Sequence, residues 1–81
     1  MTDDLIVVPL FSRGRPGPTR VQVRAGSGGL QRASVAFCEE ITTIDRDFLR
    51  GGPLGPRLDQ SVMGAIVRGI RRAVGETVPE P

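Results

Sequence analysis

Carboxylates, hydroxyls and guanidinia are the side chains of this sequence with the means to move a proton or hold a phosphate. Its 81 residues contain no histidine, and all eleven of its positive charges are arginine. Ser-His and Cys-His nucleophile pairs, histidine zinc sites, lysine-closed phosphate loops and Schiff bases are therefore excluded. Arginine carries a planar fork of donors that suits phosphate and keeps its charge at any ordinary pH. Arg13, Arg15, Arg20, Arg24 and Arg32 fall between Leu5 and Cys38, a span with no acid. Such a cationic stretch suits nucleic acid or an acidic protein, or else solvates an exposed sheet face. Ser12-Arg13 breaks the apolar run of "LIVVPLFSRGRPGP" (5–18) without transition. The break reads either as a strand reversing direction or as a place where phosphate is held.

The elements that would position these residues follow from periodicity. Residues 5–11 read as a buried strand, with Pro9 suited to an edge or a bulge because it lacks a ladder N–H. Residues 13–18 turn the chain back. In residues 19–24 the alternation puts Val21 and Val23 on one face and Arg20, Gln22 and Arg24 on the other. "AGSGG" (25–29) matches no dinucleotide or phosphate-loop spacing and reads as a turn. "SVAFCEEITTI" (34–44) reads as the longest strand, in which the period places Glu39 on the same face as Val35, Phe37 and Ile41. A carboxylate there either pairs with a neighbouring arginine, or is turned outward by a bulge, or acts as an acid/base group in a cleft. Asp45 suits the cap of a short turn, and "GGPLGP" (51–56) breaks the chain. Asp59 then opens a helix to about Val74, with Leu58 and Met63 as its staple and Val62, Ile66, Ile70 and Val74 as its apolar stripe. Arg71 and Arg72 suit its negative end, Gly75 terminates it, and residues 76–81 read as a flexible tail.

Four of these segments, in order, resemble the MazF/PemK family of toxin endoribonucleases: "IVVPLFSR" (6–13), "TRVQV" (19–23), "GLQRASVAFCEEITTID" (29–45) and "LGPRLDQSVMGAIVRGIRRAVG" (54–75). The resemblance spans residues 5–75, and the third segment is the most specific. It implies an α+β, mainly β fold: a small SH3-like barrel of the PemK/CcdB type, here partial, with a C-terminal helix. It also implies the toxin of a type II toxin–antitoxin system, a homodimer that cleaves single-stranded RNA without metal or cofactor and is covered by a cognate antitoxin. By the same resemblance Ser12 matches a serine that contacts RNA, and Glu39 matches an acidic position proposed to transfer a proton. Phe11 stands where threonine is common and Phe37 where some members have a functional arginine; the family's opening strands and Arg-Pro segment have no counterpart in these residues. Two other readings fit the same resemblance: a non-catalytic member that dimerises and binds RNA or antitoxin, and a protein-binding toxin that poisons a topoisomerase.

Cleavage of RNA without histidine or metal requires a base for the 2′-hydroxyl, donors for the phosphorane charge and an in-line geometry. The residues provide candidates: Glu39 as base, Arg13 or Arg15 as donor and Ser12 as anchor, with Arg20 and Arg24 extending the RNA-binding surface. A chain of this length makes one domain, residues 1–81, and buries only roughly 60–65% of its unfolded surface, so partner burial is expected. Cys38 is the only cysteine, Asp3 and Asp4 stand where a signal peptide is positive, and the apolar run ends at Phe11. These features point to a cytoplasmic protein with no membrane partner, and the resemblance implies RNA, not DNA, as the direct nucleic-acid partner.

Overall fold

The computed structural model describes residues 4–49 and 51–79. Two antiparallel sheets carry the fold. Strand β1 (Asp4–Val7) pairs with β5 (Thr42–Asp45), while β4 (Ser34–Phe37) lies between β2 (Leu10–Phe11) and β3 (Arg20–Val23). The same two chain segments serve both sheets. From the pair Val7↔Thr42 to the pair Leu10↔Ala36, one segment advances three residues (7 to 10) and its partner six (36 to 42). The three extra residues form the 3₁₀ turn Cys38–Glu40. Opposite them, Val8 and Pro9 leave the ladder, and Phe37 N–H donates to the Pro9 carbonyl at 3.0 Å. The result is an open, partial barrel, mainly β, with one C-terminal helix.

This slip changes two sequence expectations. The run 34–44 is not one strand, because the turn resets its period and carries Glu39 and Glu40 outward while Cys38 goes in. The run 5–11 is not a buried strand either: β1 alternates, and Ile6 is 74% exposed on a two-stranded sheet. The alternation expected in β3 holds, with Val23 fully buried and Gln22 and Arg24 exposed.

Helix α1 (Gln60–Ala73) covers the inner face of the three-stranded sheet. Its N-terminus is capped by Asp59, whose Oδ1 accepts from Val62 N–H at 2.9 Å and from the Ser61 hydroxyl at 2.6 Å. Its last turn closes with Gly75 N–H on the Arg72 carbonyl and Glu76 N–H on the Arg71 carbonyl, the paired bonds of a Schellman cap. Ile66 enters a core with Val23, Ala36 and Cys38, flanked by Val21, Val62 and Ile70. Val74, expected in the stripe, is instead 74% exposed at the C-cap. Helix and sheet meet most closely at Gly69, where a Cβ would lie 2.7 Å from Cys38 Sγ.

Of the tail expected to be flexible, residues 76–79 are tied back. Arg71 pairs with Glu76, its Nε 2.8 Å from Oε2. Arg72 donates to the carbonyls of Val78 and Pro79, and also to the Pro18 carbonyl at 3.2 Å. Residues 80 and 81 lie outside the described residues.

Candidate active site

Strand register builds the site. Arg20 stands directly opposite Phe37, and Phe11 opposite Val35, all on the outer face of the central sheet. Cys38 N–H donates to the Thr19 carbonyl at 2.8 Å, which seats the 3₁₀ turn against the start of β3. Glu39, the first carboxylate of that turn, is thereby delivered to the two residues that hold it. Arg20 Nε and Nη2 reach its Oε2 at 2.8 and 2.7 Å, and the Thr19 hydroxyl donates to Oε1 at 2.9 Å.

The guanidinium of Arg20 also lies over the Phe37 ring, 4.1 Å from its centroid, and Phe11 meets Phe37 edge to face at 4.8 Å. Its position is therefore fixed by an ion pair at one end and a cation–π contact across its face. The hydrogen bond from Arg20 draws the Glu39 carboxyl below its ordinary pKa, with Thr19 adding to the effect, and Glu39 raises that of Arg20. Glu39 is thus ionised at neutral pH, as a proton acceptor must be, and is oriented before substrate arrives. A planar fork that grips one carboxylate oxygen with one edge directs its remaining N–H groups away from it, available to an incoming oxyanion.

The other residues expected in the site are distributed around this pair. Arg13 lines the same cleft as Phe11, Gly14, Phe37 and Glu40. Ser12 and Arg15 are exposed on the loop that follows β2. Arg24 follows the last residue of β3, four residues beyond Arg20 and about 13 Å away in extended chain, and is not brought to Glu39. The arginine that touches the acid is Arg20 rather than Arg13. Thr19, Glu40 and the stacking of Phe37 on Arg20 were not anticipated, although the alternation of β3 already placed Arg20 on the outer face.

A carboxylate held by arginine and threonine beside a cationic loop is a local arrangement; the order of elements around it is more specific. The family model for PemK-like, MazF-like toxins of type II toxin–antitoxin systems matches residues 2–74. The chain belongs to that family. Among solved structures, the toxin is similar to an endoribonuclease from a mycobacterial species, at 26% identity and a TM-score of 0.78, covering 96% of this chain and 70% of that one. It is also similar to an endoribonuclease in complex with its cognate antitoxin, again from a mycobacterial species, at 27% identity and a TM-score of 0.79, covering 96% of this chain and 71% of that one. No curated protein matches the toxin's sequence significantly. The fold expected for such a toxin, antiparallel sheets with a terminal helix, is the one observed.

Proposed function

We propose that this toxin is an endoribonuclease that cuts single-stranded RNA at the outer face of the central sheet, with Glu39 as general base and Arg20 and Arg13 as donors to the phosphate. The observation that carries the reading is the Arg20–Glu39–Thr19 cluster, an ionised carboxylate and a fixed guanidinium side by side on an open cationic surface. Glu39 takes the proton of a 2′-hydroxyl, and the resulting oxygen attacks the adjacent phosphorus. The P–O5′ bond then breaks, and the departing oxygen takes a proton from water. The products are a 2′,3′-cyclic phosphate and a 5′-hydroxyl. Arg20 turns its free edge to the nonbridging oxygens, whose charge grows in the transition state. Ser12 and Arg15 hold neighbouring phosphates along the loop, and Arg24 continues that surface beyond the cutting point.

The related structure with a cognate antitoxin supports a protein partner for this toxin too, an antitoxin whose acidic segment competes with RNA for the arginines. A homodimer in the cytoplasm completes the proposal; among the described residues no helix is long and apolar enough to cross a membrane. Incubation of the purified toxin with a mixed RNA pool in EDTA tests the chemistry. Fragments ending in 2′,3′-cyclic phosphate, formed far more slowly with Glu39→Gln, are the expected result. Intact RNA bound by the unaltered toxin would assign it to binding without cleavage.

A further inference from the structure

Beside the Arg20–Glu39 pair, a cleft of about 390 Å³ is lined by Phe11, Arg13, Gly14, Phe37 and Glu40. Phosphate alone has no use for two aromatic rings. Phe37 is held in place by the Arg20 guanidinium over its face, by its edge-to-face contact with Phe11, and by the loop backbone at Gly14, where a Cβ would lie 2.7 Å from Phe37 Cζ. Phe11, at 43% exposure, presents more of its surface to solvent than the half-buried Phe37. It lines the cleft together with a guanidinium and a carboxylate.

We infer that this cleft binds one unpaired nucleobase of the RNA and selects guanine. The inference rests on the reading of the toxin as an RNA-cleaving protein and adds the base it recognises. Phe11 offers a stacking face that accepts any base. Selection comes from Glu40, because the oxygens of a carboxylate only accept hydrogen bonds. Guanine alone presents two adjacent donors, N1–H and N2–H, spaced to meet the two carboxylate oxygens. Adenine and cytosine place an acceptor nitrogen beside their amino groups, and uracil flanks its single N3–H with two carbonyls, so each turns a lone pair toward Glu40. Arg13, which also lines the cleft, is a donor suited to the acceptors O6 and N7 of the same base. Glu40 and Glu39 are consecutive residues of one turn, so a guanine held by the first places its sugar-phosphate neighbours at the second.

Fluorescence anisotropy with four short, 2′-O-methylated and therefore uncleavable RNAs, identical except for G, A, C or U at one position in a uridine background, tests this. The guanine oligonucleotide is expected to bind about tenfold tighter than the uridine one, the size of one good bidentate contact. Glu40→Gln should erase that preference while still binding the uridine oligonucleotide. Phe11→Ala should weaken all four by about 5- to 100-fold, the range for one lost base stack, and Phe11→Trp should restore them. Equal binding of all four RNAs, or a guanine preference that survives Glu40→Gln, overturns the guanine pocket while leaving RNA binding intact. No binding of any RNA by a protein whose circular dichroism is native overturns the RNA reading, and the pocket with it.

Discussion

In its proposed role as base, Glu39 has two demands on it that pull in opposite directions. As a base it works best unencumbered, yet the bond from Arg20 that orients it also lowers its affinity for a proton. This sets the pH dependence. A carboxylate drawn below its ordinary pKa stays ionised further into acid, so the acid limb of kcat/KM for RNA cleavage should lie below the ordinary glutamate value. Arg20→Gln should move that limb upward and lower the rate by about 10²-fold or more, since it also removes a transition-state donor. A pH–rate profile of the two proteins checks both effects. The same sign governs stability: the pair's contribution is present at neutral pH and disappears as pH falls through the depressed value. Both side chains face solvent, so that contribution is small. Glu39→Gln should cut kcat by about 10²- to 10⁴-fold and leave RNA affinity nearly unchanged, as measured by single-turnover cleavage and anisotropy. Much of this site was legible in the residue types: a chain without histidine or lysine leaves few candidates, and Glu39 stood out as an acid at an apolar phase. Its partner was not, because the choice between Arg13 and Arg20 depends on cross-strand register, a long-range property that strand periodicity alone does not give.

At the scale of elements, the three-residue turn Cys38–Glu40 is where the sequence reading and the fold diverge. β-branched and aromatic residues on both sides of it favour strand, and nothing local in Cys-Glu-Glu announces an interruption. The slip is imposed from outside, by Pro9 on the facing segment and by the helix under Cys38. The helix itself was readable almost to its ends, because Asp59, the fourfold spacing of Val62, Ile66 and Ile70, and Gly75 are local signals. Gly69 supports the turn from below. In Gly69→Ala, crowding of Cys38 Sγ should cost about 1–3 kcal/mol against the roughly 1 kcal/mol that alanine gains in helix propensity, a net destabilisation of up to about 2 kcal/mol. Thermal melts of a double-mutant cycle check it: Cys38→Ala in the Gly69→Ala background should recover part of the loss, because it removes the clashing sulfur.

For the whole molecule the decisive quantity is area. The chain exposes 6327 Å², whereas a compact monomer of its mass exposes about 4,700 Å². Val67 and Met63, on the outer side of α1, and Ile6 and Phe48, elsewhere on the surface, contribute to the excess. An excess of this size is about twice the roughly 800 Å² that each partner contributes to a standard protein–protein interface. Sedimentation should therefore show a homodimer at micromolar concentration, and a folded monomer would contradict this. Charge makes a second prediction. Arg20 is already neutralised by Glu39, so Arg13, Arg15 and Arg24 are left as contributors to counterion release. The slope of log affinity for single-stranded RNA against log salt should be about −2, three contacts at roughly −0.7 each. Replacing all three with glutamine should flatten it.

The hydrogen bond from Arg72 to Pro18 and the seat of Cys38 beneath Ile66 and Gly69 also order events in time. They join residues 54 and 28 positions apart in the chain. A ribosome adding about 5–20 residues per second makes the loop and the turn seconds before it makes the helix that fixes them. Until then Glu39 has no floor beneath it and the basic loop no anchor. The proposed cutting surface is therefore assembled late, after the stretch of message that encodes it has been read.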